Sequence, residues 1–456
     1  MSQRTWMKGL ATTVVGALAV GLFTGCSANS DSGSAGGETT INVALAANPQ
    51  MKTAESLISD FEKKNPGIKV KFTTLPENDL RPAVTKDVAT NAGQFDVAMI
   101  GSYEVPIWAE RGWIVPLDDY AKKDKAWDEG DLLKPIRDIV SKDDVLYAAP
   151  FYGSSSFLFY RKDLAQKAGV TISETPTWQE VQAAAAAMKD DSAGVSGICL
   201  RGLPGWGQNL AAVTTAINTF GGRWFDKKWE PQLTSPETKA AVQFYVDTLR
   251  KYGQPDAAKD GWEGCLQQFS QGKTAIWYDD TVFAGSAINQ ATDAVKPNIG
   301  FAMAPTGPAG LPSGWLWSWG LGITKSSKNK DAAWKFISWV TSPEYIKLSG
   351  QKAGWDSIPP GSRASTYKIP EYLEAASSYA DLTMKSIEAA NPKQPTVEPV
   401  PYTGVQYVQI PEFVEIGDFV SQQIAGAISG SQTVDEALQK SQDFTRKAVK
   451  DAGYLK

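Results

Sequence analysis

Between residues 41 and 72 the hydrophobic period changes twice. Ile41, Val43 and Leu45 alternate with polar neighbours, Ala54, Leu57, Ile58 and Phe61 recur at helical spacing, and Ile68, Val70 and Phe72 alternate again after Pro66-Gly67. A strand–helix–strand of this length forces parallel pairing with a right-handed crossover, which commits the chain to an α/β fold. The unbroken apolar run Val97–Ile100 supplies a third, buried strand. Thr177 and Glu180 form a capping-box pattern for an Ala-rich helix reaching about Lys189, and Thr433 and Glu436 do the same for a last amphipathic helix. Short strands are expected at 195–200, 273–278 and 298–304, and a helix over Asp331–Val340. Residues 391–411 carry five prolines and are expected as an extended strap.

The amino terminus indicates the compartment. Arg4 and Lys8 precede an apolar, Gly-rich stretch, Gly9–Phe23, too short for a comfortable membrane span, and it ends in Phe23-Thr24-Gly25-Cys26. Small residues before a cysteine resemble a lipoprotein signal. Residues 1–25 are thus expected to be removed, with Cys26 lipidated on the outer face of the cell membrane; the alternative is an ordinary cleaved signal with an incidental cysteine. Residues 26–38, rich in Gly and Ser, read as a flexible tether. Without residues 1–25 the chain carries 43 basic and 50 acidic residues, a net of −7, which disfavours nucleic acid and anionic membrane as partners. Its roughly 420 residues exceed the usual single core, so two lobes are expected.

With Cys26 set aside, Cys199 and Cys265 remain, and in an oxidising compartment they are expected to pair. There is no histidine. This excludes a Ser-His-Asp triad, a Cys-His dyad and a His-ligated metal, and leaves Gly153-Ser154-Ser155-Ser156 without an imidazole base. No catalytic residue, metal or cofactor is expected.

In open α/β sheets ligands bind beyond the carboxyl ends of the strands. Asn48 follows the first strand; Glu77 and Asp79 follow the second; Tyr103 and Glu104 follow the third; Asp279 and Asp280 follow KTAIWY. Each can exchange hydrogen bonds with hydroxyls, the carboxylates in a bidentate manner. Arg201 and Arg363 can donate forks. Trp206, Trp317, Trp319 and Trp355 offer faces to a C–H backbone, and Tyr152 lies in the hinge-like Phe151-Tyr152-Gly153. Trp315 and Trp334 are assigned to the core: Trp315, Trp317 and Trp319 share a strand face and are not all expected to line one cleft. Trp108 and Trp113 are expected to pack the following helix and loop.

The runs FDVAMIGSYEVPIWAERGWIVPLDDY, LYAAPFYGSSSFLFYRKDL, ICLRGLPGWGQNLAAVTTAINTFGGRWFD, GWLWSWGLGI and GWDSIPPGSRAS, in that order, resemble the maltose-binding-protein-like family of extracellular solute-binding proteins, the capture subunits of sugar ABC importers. Details such as SYEVPIW are similar to members binding linear polyols such as sorbitol and mannitol. The resemblance implies a two-lobed, type II periplasmic-binding-protein fold, each lobe a mainly parallel sheet flanked by helices, closing on ligand about a hinge. The implied division is 39–150 with about 285–342 in lobe one and 151–284 with about 343–456 in lobe two. It further implies a monomer without enzymatic activity, whose partners are a small neutral polyhydroxylated ligand and ABC permease subunits. Three classes stay open: a polyol or mono- or disaccharide binder, a receptor holding a cationic solute in an aromatic cage, and a secreted glycosidase with paired carboxylates.

Overall fold

The structure is a computed structural model that describes residues 38–455. The signal segment, Cys26 and all but the last residue of the tether lie outside the described residues. Strand β1 (Thr39–Ala46) leads into α1 (Pro49–Ser56) and α2 (Ile58–Lys64), separate helices where the sequence period suggested one. Then follow β2 (Ile68–Leu75), α3 (Glu77–Thr90), β3 (Val97–Gly101) and α4 (Glu104–Glu110). A short hairpin, β4 (Ser141–Lys142) and β5 (Val145–Leu146), precedes β6 (Ala149–Ser154) and β7 (Ser156–Arg161). The remaining strands are β8 (Ser196–Cys199), β9 (Thr274–Asp280), β10 (Ile299–Met303) and β11 (Trp317–Ile323).

Two sheets organise these strands, one ordered β2-β1-β3-β11-β6 and the other β10-β7-β9-β8. Their pairing is mixed rather than mainly parallel. β1 pairs in parallel with β2 and β3, whereas β11 runs antiparallel to β3 and β6. In the second sheet only β8–β9 is parallel. The late strand β11 is inserted into the first lobe from far along the chain, so no βαβ crossover dictates its direction.

The sheet membership moves the expected lobe boundaries. Ser154 pairs with Trp317 in the first sheet and Ser156 with Asp280 in the second, so the chain passes between sheets at Ser155, not at Pro150-Phe151. β10 pairs with β7, which places Ile299–Met303 with the second sheet although 285–342 was expected in the first. The helix Pro343–Ala353, expected with lobe two, lies against first-lobe helices, where Lys352 pairs with Asp60 at 2.7 Å and Lys64 with Glu344.

Residues 391–411 form no helix or strand. Instead the segment runs from the second lobe, where Asn218 Nδ2 donates to Val405 O at 2.8 Å and Trp224 N to Tyr402 Oη at 3.2 Å, onto the first. Gln409 Nε2 donates to Ser102 O at 3.2 Å, and Tyr103 Oη donates to Ile410 O at 2.7 Å. The Asn209–Thr219 helix, buried along its whole length, and the carboxyl-terminal helices Phe413–Ser429 and Val434–Asp451 cover the second lobe. Both expected capping boxes, Thr177/Glu180 and Thr433/Glu436, are formed. Cys199 on β8 and Cys265 on the helix Trp262–Ser270 are joined in a disulfide, with Cα atoms 5.6 Å apart.

Candidate functional site

A cavity of about 620 Å3, counting its open mouth, lies between the two sheets. From the first lobe come Asn48, Glu77, Arg81, Tyr152, Trp317 and Trp319; from the second come Arg201, Trp206, Trp262, Asp280 and Phe283; Trp315 and the strap residue Gln406 close one side. Of the residues proposed from sequence, Asn48, Glu77, Tyr152, Arg201, Trp206, Asp280, Trp317 and Trp319 meet here.

Local rules explain their placement. Asn48 lies just past β1 and caps α1, its Oδ1 accepting from Met51 N at 2.9 Å; among the described residues its amide nitrogen has no partner. α3 starts one residue after β2, and the i,i+4 spacing puts Glu77 and Arg81 on one face. Arg81 Nη2 donates to Glu77 Oε1 at 2.8 Å, and Nη1 pairs with Glu104. Burial works against the charge on Arg81, but Glu104 and Glu77 more than offset it and raise its pKa. On Glu104 burial wins over Arg81 and pushes the carboxyl up. Gly101 is needed at the end of β3 because a Cβ there would overlap the Trp317 indole.

The second wall has the same ingredients in another arrangement. Arg201 Nε donates to Asp279 Oδ2 at 3.0 Å and Nη1 to Gly207 O at 2.8 Å. Burial disfavours its charge, yet Asp279 raises its pKa. Asp280, next along β9, accepts from Ser154 Oγ (2.8 Å), Val282 N (2.8 Å) and Trp315 Nε1 (3.3 Å). Burial raises its pKa to about 7, against the pull of these donors and of Arg201. Gly207 lies so close to Glu77 that a Cβ would overlap the carboxylate. Asn78 Nδ2 donates to Pro204 O at 3.2 Å, and Gln50 Nε2 donates to Val282 O at 3.1 Å, so the lobes touch on both sides of the cavity.

Six sequence candidates stand elsewhere. Tyr103 is buried beneath the strap against Trp206 and Tyr407, its hydroxyl satisfied by Ile410 O. Glu104 does not line the cavity; it anchors Arg81, which does. Asp279 is wholly buried and serves Arg201. Asp79 is exposed on the first turn of α3. Trp355 packs against Gly350, where a Cβ would overlap its ring. Arg363 is also wholly buried and structural, donating to Thr341 O (2.8 Å) and Asp128 O (2.9 Å) beside Trp127.

Other site residues went unnoticed in the sequence. Trp315, assigned to the core, lines the cavity together with Trp317 and Trp319. It precedes β11, so strand alternation does not govern it, and its indole N–H is drawn to Asp280. Arg81 was signalled only by its spacing from Glu77. Trp262 and Phe283, stacked at 4.7 Å, and Gln406, bonded to the Leu316 backbone, carried no local signal. Trp108 and Trp113 pack edge to face at 6.0 Å, outside the cavity.

Two lobes around an aromatic and polar cavity define a ligand-capturing protein of the type II periplasmic-binding class. The chain belongs to the bacterial extracellular solute-binding protein family, whose sequence pattern matches residues 46–347. It is therefore an exported solute-binding protein rather than an enzyme. It is 42% identical over 424 residues to the mannitol-binding protein of Pseudomonas aeruginosa, covering 92% of this chain and 95% of that one. It is 48% identical to an ABC transporter solute-binding protein of Agrobacterium vitis solved with bound D-mannitol, with a TM-score of 0.89 over 91% of this chain and 100% of the other. A ribitol complex from Agrobacterium radiobacter, 24% identical over 90% of this chain and 99% of that chain, shares the fold with a TM-score of 0.80.

Proposed function

We propose that the chain captures an acyclic polyol of the mannitol class for an ABC importer, closing about Ser154–Ser156. The supporting observation is the charge balance of the cavity. Each lobe presents an arginine already neutralised by carboxylates, Arg81 by Glu77 and Glu104, and Arg201 by Asp279. A neutral solute adds no unpaired charge to such a site, and its hydroxyls can both donate to Glu77 and Asp280 and accept from the arginines and Asn48. The indoles of Trp206, Trp315, Trp317 and Trp319 suit the carbon chain. The mannitol-binding relatives support the same solute class. The cationic-solute reading loses ground because Arg81 already lies over the faces of Trp206 and Trp319.

In this reading lobe one comprises 38–154 with β11 and the helices through Ala353, and lobe two is built on β7–β10 with the carboxyl-terminal helices. Cys26 carries the lipid anchor, and permease subunits are the partners. The decisive test is calorimetry with D-mannitol, D-sorbitol, ribitol, D-glucose, maltose and choline. Binding of at least one acyclic polyol in preference to the cyclic sugars is expected, and at 100 times its dissociation constant that ligand should stabilise the fold by about 2.7 kcal/mol. Heat from a cyclic sugar or choline alone would overturn the reading. Cys26→Ala should release folded protein from the membrane fraction.

A further inference from the structure

Arg81 stands inside a partial ring of tryptophans. Its guanidinium carbon lies 4.1 Å from the ring centroid of Trp206, 4.6 Å from Trp319 and 5.3 Å from Trp317. The rings meet nearly edge to face, Trp206 with Trp317 at 67° and Trp317 with Trp319 at 82°, so they wall one volume from different sides. Glu77 and Glu104 complete the surroundings. Indole faces within about 6 Å of one point, with carboxylates beside them, are the chemistry that recognises a quaternary ammonium group. Here the cation belongs to the chain itself.

We propose that Arg81 is a specificity-determining residue that fills a latent aromatic cage: its guanidinium holds the place of a trimethylammonium head group and thereby restricts the cavity to uncharged solutes. The inference goes beyond the polyol reading, because it concerns what the site rejects and holds for any neutral ligand. An incoming cation would meet a like charge and would have to break two carboxylate pairs to reach the indoles. Truncation of Arg81 reverses this. It would expose the indole faces and leave Glu77 and the buried Glu104 without their counter-ion. Glu104 Oε2 already lacks a partner among the described residues, so acceptor capacity remains there. The cavity reaches Arg81, Trp206, Trp317 and Trp319 directly, which gives a head group a way in.

The test is calorimetry of the exported protein and its variants with choline, glycine betaine and 3,3-dimethylbutanol, the uncharged analogue of choline. Wild type and Arg81→Lys, which keeps a cation in the ring, are expected to bind none of them. Arg81→Ala should bind choline at least about tenfold more tightly than the wild-type limit, and more tightly than the neutral analogue. Should Arg81→Ala not fold, Arg81→Ala/Glu104→Gln removes the guanidinium together with one stranded charge and is measured in the same way. A folded variant that ignores choline overturns the proposal. So does equal binding of choline and the neutral analogue, which would mean that only space was gained, and so does choline binding by wild type. Failure of wild type to bind any of D-mannitol, D-sorbitol and ribitol would count against the polyol reading alone.

Discussion

Glu104 and Asp280 make an instructive pair. Each sits just beyond or at the carboxyl end of a buried strand, β3 or β9, and each is 6% exposed. Yet Asp280 lines the cavity and Glu104 does not. The difference is the nearest cation. Arg81 reaches Glu104 directly and pairs with it, so the carboxylate becomes the support and the arginine becomes the wall. In the second lobe the Arg201 fork goes to Asp279, leaving Asp280 with neutral donors and a face toward the ligand space, while burial raises the pKa of both carboxyls. A strand-end position therefore brings a carboxylate to the cleft, but the pairing partner decides whether it faces a ligand or holds another side chain.

The largest expected effect tests the supporting role. Asp279→Ala should strand the buried Arg201 guanidinium and lower stability by about 3–5 kcal/mol in denaturant titrations. Loss of affinity with unchanged stability would instead make Asp279 a ligand group.

Next comes the titration of Asp280. Its folded pKa, about 7, exceeds the ordinary value of 3.8, so between those values the native state holds a proton that the unfolded chain has lost. The Asp280 contribution is thus fully present below 3.8 and is lost as pH rises through about 7, with about 4 kcal/mol as an upper bound. Asp280→Asn should flatten this fall between about pH 4 and about pH 7 in urea midpoints of the ligand-free protein. An unaltered pH profile would show that the Asp280 carboxyl titrates normally.

Glu104→Gln should cost about 1.5–3 kcal/mol, shared between ligand-free stability and affinity, because it acts through Arg81, which keeps Glu77. The two readouts should shift together in melting and calorimetry. Weaker binding with an unmoved melting temperature would return Glu104 to direct ligand contact. The smallest effect sharpens the comparison from outside: Asp79→Ala, although also near a strand end, should stay within about 0.5 kcal/mol in stability and leave affinity unchanged.

The local periods, caps and prolines of this chain were enough to define part of its α/β elements and its strap, since hydrophobic spacing and capping act over a few residues. They placed Asn48, Glu77 and Asp280 at strand ends, because strand direction alone sets which end of a sheet meets a ligand. What tertiary structure decided was pairing over long separations. Arg81 chose Glu104 and Arg201 chose Asp279, which turned two candidate ligand groups into supports. Arg363 was drawn into a buried network with Thr341 and Asp128. β11 entered the first sheet between β3 and β6, bringing Trp317 and Trp319 over Arg81, and the strap set Gln406 beside them and hid Tyr103. A buried charge takes whichever counter-charge the packed lobes bring within reach, and that choice is made across tens to hundreds of residues, where no local pattern records it.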